Sequence, residues 1–242
     1  MTEETITIKK ESIWKYSTFI LVALLIIVLF VFLGKDNTPT TGNVVAPDDS
    51  VVPGVKAATI DDDAILGEKD APVTIIEFSD YQCPFCRKFW TETFPQIKKD
   101  YIDSGKVNMV FRDFPLDFHQ AALPAAQAAE CVREKGGDSA YWKMHDKMFA
   151  EQNKLDSGRE NGAVTKTITF GESDIISWAK ELGYDIGDCL KSGKYISEVQ
   201  KDQADGAAAG VQGTPAFFVN GKLLSGAQPY SAFKQAIDAE LS

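Results

Sequence analysis

The sequence is poor in histidine, with two, and in cysteine, with four, over 242 residues. Four cysteines are too few for a small disulfide scaffold, although an even number suits two pairs in an oxidising space. Positive charge is also scarce. Lys and Arg number 25 against 35 Asp and Glu, for a formal net charge of -10, so the chain has no electrostatic footprint for nucleic acid. The acidity reads as a solvated surface. No Gly-rich phosphate loop, internal repeat or Asn-x-Ser/Thr acceptor is present. Asp61-Asp62-Asp63 lacks the Gly turn and distal Glu of a calcium loop, and reads as a solvated charge run. A composition 44% hydrophobic and 25% charged suits one globular domain with an appendage.

What is present centres on Ser79-Asp80-Tyr81-Gln82-Cys83-Pro84-Phe85-Cys86. A strand-like run, Val73 to Phe78, gives way there to a helix-like one. That junction places Cys83 near a helix N-terminus, where unpaired N–H groups and the positive dipole end favour a thiolate. Pro84 suits the first helical position, and Cys86 can reach back to close a disulfide. The alternative, half of a zinc site, needs a second ligand pair, and the other two cysteines are far apart. The motif reads as an exchange dithiol.

Residues 1–15 precede an uncharged, almost wholly apolar run, Tyr16 to Gly34. At ~1.5 Å per residue it can cross a bilayer core of ~30 Å. No small-x-small cleavage site follows, so the run is expected to be an uncleaved signal anchor rather than a removed signal peptide. Lys9, Lys10 and Lys15 lie before it and only Lys35 closely after, which leaves the N-terminus cytoplasmic and the rest outside. Residues 35–58, rich in Thr, Pro, Gly and Asp, read as a flexible linker, and 59–242 as the globular domain.

In that domain a strand over Val73–Ser79, a helix from Pro84 to about Tyr101 kinked at Pro95, and a strand from Val107 to Arg112 predict a parallel pair with a right-handed crossover. Glu77 falls mid-strand between Ile76 and Phe78. Periodicity leaves two faces open to it, one beneath the cysteines and one in solvent. Helices are expected over Gln120–Lys135, Ser139–Glu151, Glu172–Leu182 and Lys194–Ala209, with a loop from Asn153 to Phe170. His119 and His145 stand without neighbouring ligands and read as structural or surface residues. Asn220-Gly221 marks a hairpin, a helix from Tyr230 to Leu241 closes the chain, and Pro215 enters its strand either trans or cis.

Taken together, Glu77-Phe78-Ser79-Asp80-Tyr81-Gln82-Cys83-Pro84-Phe85-Cys86, Arg112-Asp113-Phe114-Pro115-Leu116, Ala128-Ala129-Glu130-Cys131 and Gly210 to Gly221 make residues 60–242 resemble the DsbA-like thiol-disulfide oxidoreductases. The resemblance implies an α/β thioredoxin fold with an inserted helical domain, about 116–203. It implies that Cys83 is the exposed nucleophile, Cys86 the resolving thiol and Glu77 a buried proton-shuttling acid. It further implies a cis Pro215 facing the dithiol, with Thr214 offering backbone hydrogen bonds to an extended substrate. Pro84 and Phe85 would flank that substrate. Phe85 departs from DsbA, which has histidine there, so the redox poise does not carry over. In an oxidising compartment Cys131 and Cys189 are expected to form a structural disulfide.

The whole reads as a membrane-tethered, extracytoplasmic oxidoreductase that needs no cofactor or metal. It would act as a monomer on unfolded exported proteins and be reoxidised by a membrane partner. A reductase or isomerase is the first alternative. A non-catalytic peptide-binding or chaperone module, indifferent to loss of either active cysteine, and a metal-carrying dithiol are the others.

Overall fold

A computed structural model describes residues 56–156, 164 and 166–242. The expected anchor over 16–34 and nearly all of the linker lie outside the described residues, among which no helix is long and apolar enough to cross a membrane. Runs rich in β-branched and aromatic residues form the two central strands, β2 (Val73–Ser79) and β3 (Val107–Asp113), which pair in parallel. Outside them lie β1 (Ile65–Leu66), β4 (Ala216–Val219) and β5 (Lys222–Ser225), giving the sheet order β1-β3-β2-β4-β5. The two-residue β1 carries no alternation long enough to be read from sequence. It is held antiparallel to β3 at Val110 and Met109.

The crossover from β2 to β3 begins as α1 (Pro84–Glu92). The single kinked helix expected through Tyr101 is divided, because Pro95 has no N–H for the carbonyl four residues back. A short α2 (Phe94–Ile97) and a π turn (Lys98–Ile102) follow instead. Between β4 and β5, Asn220 and Gly221 both take positive φ, 47° and 85°, as a two-residue type I′ hairpin demands. The final helix, α7 (Tyr230–Leu241), has the expected bounds.

The insertion holds α3 (Ala122–Leu155), α4 (Glu172–Glu181), α5 (Gly187–Ser192) and most of α6 (Ile196–Ala208). Within α3 the chain leaves helical geometry at Gly137, φ 69° and ψ -169°, so it is two helices meeting where the sequence reading left a gap. Its second half runs past the expected end at Glu151 and turns the start of the expected loop into helix. The architecture is thus the thioredoxin fold with a helical insertion.

Side chains alternate across the sheet. One face carries Ile75, Met109, Phe111, Phe217 and Val219 into a core shared with the dithiol, α1, α3 and α7. The opposite face carries Ile76, Phe78, Val110 and Phe218 into a smaller cluster. Helix α6 packs against that cluster closely enough that a Cβ on Gly206 would meet Phe78 and Phe114 at 2.7–2.9 Å.

Candidate active site

The dithiol sits where β2 ends. The chain turns at Asp80, whose carbonyl accepts the Cys83 N–H at 3.0 Å. Cys83 is the N-cap of α1, with extended backbone (φ -69°, ψ 125°), and Pro84 takes the first turn, where its missing N–H costs nothing. Cys83 and Cys86 are free thiols. The resemblance implied an exposed Cys83. It is instead 3% exposed, because its Sγ faces the Thr214 carbonyl oxygen at 3.5 Å. The neighbouring Phe85 ring is 58% exposed. Cys86 is fully buried, and its sulfur accepts the Asp80 N–H at 3.5 Å.

These positions split the two thiols electrostatically. A hydrogen bond from Cys86 lowers Cys83 to about 6; the Thr214 hydroxyl and the backbone N–H groups of Phe85 and Cys86 assist, and burial opposes. Burial pushes Cys86 well above the ordinary thiol value, reinforced by its bond to Cys83 and by the charge on that sulfur. One sulfur is therefore a thiolate near neutral pH and the other holds its proton.

Glu77 shares its face of β2 with Ile75, the face that carries the dithiol, and is 2% exposed, so the solvated reading is excluded. Burial raises its carboxyl to about 8, with the Cys83 charge adding and the Ser79 hydroxyl opposing. It can hold or release a proton near neutral pH. The Thr214–Pro215 peptide bond is cis. The Thr214 carbonyl faces Cys83 Sγ, and the Pro215 carbonyl accepts from Gly226 N–H at 2.9 Å.

Sequence reasoning missed Asp80, Gln82 and His119. The Asp80 carboxylate accepts from Gln82 N–H at 2.7 Å and Leu116 N–H at 2.9 Å, and its Oδ2 lies 2.7 Å from His119 Nδ1. Gln82 binds Ala121 N–H through Oε1 and the Ile168 carbonyl through Nε2. His119, 8% exposed, thus belongs to the dithiol turn, whereas the sequence reading left it without partners. Its partner is 39 positions away, beyond the reach of local spacing. His145 packs among Tyr81, Phe94, Phe111, Trp142 and Phe149.

Two further features lie away from the thiols. Cys131 on α3 and Cys189 on α5 are joined by a disulfide, with Cα atoms 6.0 Å apart. Of the run Asp61-Asp62-Asp63, Asp61 and Asp62 are exposed as expected, and only Asp63 departs from the solvated reading. Asp63 is 6% exposed and pairs with fully buried Arg112 at 2.8 Å, and Asp61, Asp202 and Asp205 also pair with that guanidinium. A lone Arg in β3 gave no sign that the N-terminal acids would fold back onto it.

A family model described as Thioredoxin matches residues 59–239. Disulfide bond formation protein D of Bacillus subtilis is 32% identical over 182 residues, covering 73% of this chain and 76% of the relative. Among solved structures, oxidised BdbD from Bacillus subtilis aligns with a TM-score of 0.59 at 31% identity, covering 77% of this chain and 97% of that one. The α-DsbA1 of Wolbachia pipientis aligns with a TM-score of 0.60 at 25% identity, covering 74% and 90%.

Proposed function

The chain belongs to the thioredoxin family, as a DsbA-like thiol:disulfide oxidoreductase, and on that premise we propose that it is an extracytoplasmic oxidase of exported proteins, tethered through residues 16–34. The observation that carries the oxidising direction is the placement of Cys83 at the N-cap of α1, with its thiol lowered to about 6 beside a raised Cys86. A stabilised thiolate favours the reduced form of this protein, and so makes its disulfide a donor.

The steps balance as a two-electron exchange. A substrate thiolate attacks Cys83 Sγ, forming a mixed disulfide and breaking the Cys83–Cys86 bond. Cys86 leaves as a thiolate and takes up a proton, for which Glu77 is the nearby buried acid. A second substrate thiolate then attacks the substrate sulfur of the mixed disulfide, and Cys83 leaves as a thiolate. The substrate is oxidised by two electrons and the dithiol reduced by two. Pro215 and Thr214 border Cys83 where an extended peptide would lie, with Pro84 and the exposed Phe85 ring beside it. A membrane partner would restore the disulfide, and the protein would act as a monomer.

Equilibration with glutathione tests the direction. An oxidase gives a potential well above the ~-270 mV of thioredoxin, though below the ~-120 mV of DsbA because Phe85 donates no hydrogen bond. A thioredoxin-like value would support the reductase reading. Protease added outside intact cells should release the domain by cutting between Asn37 and Gly54, and protection would invert the topology.

A further inference from the structure

Asp80 bonds to both cysteines of the dithiol turn and to the segment that follows β3. Its carbonyl holds the Cys83 N–H, its N–H meets Cys86 Sγ, and its carboxylate holds Gln82 N–H, Leu116 N–H and the His119 ring. A buried carboxylate in this turn works against ionisation of the resolving thiol: its charge helps to raise Cys86. His119 Nδ1, at 2.7 Å, is the ring nitrogen that meets this charge. The other acids facing the turn are Glu77 on β2 and Asp113 at the end of β3. Burial raises both, Glu77 to about 8 and Asp113 well above the ordinary range.

We propose that His119, held in place by Asp80, is a positioning residue for the exchange reaction, whose imidazolium offsets the buried Asp80 carboxylate beside the dithiol and so supplies a cation that Phe85 cannot. The inference rests on the reading of Cys83 as the nucleophilic thiolate. His119 transfers no proton in the reaction. Of the two protons released as the substrate dithiol is oxidised, one ends on Cys86 and the other leaves to solvent, while the imidazolium remains paired with Asp80.

Electrostatics gives the pH range. The bond to Asp80 raises His119 above the ordinary histidine value, burial opposes, and the Cys83 charge adds. A raised base is charged below its pKa and loses that charge as pH rises through it, so the help given to Cys83 fades there. Linkage makes the coupling reciprocal: what His119 does for the thiolate, the thiolate must do for His119.

The test uses the full-length protein in both redox states. With two histidines in the sequence, imidazole proton resonances can be assigned by comparison with His119→Gln. The expected result is that His119 titrates about half a unit to one unit higher in the reduced than in the oxidised wild-type protein, below the roughly one to three units that a charge in direct contact produces. Correspondingly, His119→Gln should shift the glutathione equilibrium about three- to tenfold toward a weaker oxidant, ~15–30 mV for a two-electron couple. Equal His119 titration in the two redox states would overturn the proposal, as would an unmoved potential in the variant. Thiolate absorbance of the wild type separates the two readings. If Cys83 titrates near the free value of ~8.5, the nucleophile assignment fails whatever His119 does.

Discussion

The two cysteine pairs of this chain have the same chemistry and opposite surroundings. Cys131 and Cys189 lie on separate helices, 58 positions apart, and their bond ties the insertion together. Cys83 and Cys86 lie in one turn, open, with a helix N-terminus beneath one sulfur and apolar core around the other. The first pair gains from being closed because it removes freedom from a long loop. The second gains from being open because only the open form has a thiolate to stabilise. Environment decides which cysteines are structural and which exchange.

The largest expected effect would break that division outright. Cys83→Ser should abolish disulfide transfer, and Cys86→Ser should accumulate mixed disulfides through Cys83, because the Cys83 thiolate can still attack a substrate disulfide and no Cys86 thiol remains to resolve the adduct. Trapping through the other sulfur would reverse the roles. By contrast, a Cys131→Ser/Cys189→Ser double variant should keep its exchange rate and lose stability. In the chain-entropy model a loop of this length is worth about 4 kcal/mol, read as a lower denaturant midpoint. Thiol counting sharpens the contrast: gentle reduction should release two thiols, and four only under denaturing reduction.

Glu77 gives a smaller effect of unusual sign. Its folded-state value of about 8 lies above its unfolded one, so the unfolded state binds fewer protons and stability falls as pH rises between about 4.5 and 8. Glu77→Gln removes that cost. The variant should be more stable at neutral pH by about 1–3 kcal/mol, indistinguishable from wild type below pH 4.5, and slower in exchange. A variant equally fast would make Glu77 scaffold.

What the sequence disclosed follows the range of the interactions. The strand-to-helix junction, the N-cap position of Cys83, the Asn220-Gly221 turn and the bounds of α7 are set by neighbouring residues, and were legible. Pro215 was ambiguous from its own neighbours and became readable only through the resemblance to a family. Among contacts between distant segments, the β2–β3 pairing and the Cys131–Cys189 disulfide were expected, but those between polar side chains were not legible. Asp80 meets His119 across 39 positions and Arg112 meets Asp202 across 90. Neither pair has a periodicity, and each side chain alone looks like an ordinary surface charge. The burial of Cys83 under Thr214, 131 positions on, was hidden for the same reason.

The central claim, that the Cys83 environment makes the open dithiol the favoured state, is tested most directly by the unfolding free energies of the oxidised and selectively reduced proteins across pH, with Cys131–Cys189 intact. A thiol lowered to about 6 contributes fully above the unfolded value of ~8.5 and loses its contribution as pH falls to the folded one. The difference should therefore move toward the reduced protein by about 1.4 kcal/mol per pH unit between about 6 and 8.5, level off below that range, and turn back above it, where Cys86 ionises in the unfolded chain and its buried folded counterpart does not. At pH 8.5 the reduced form should have the higher denaturation midpoint. A difference that stays flat through this range, or a reduced protein that loses ground as pH rises, would contradict the account.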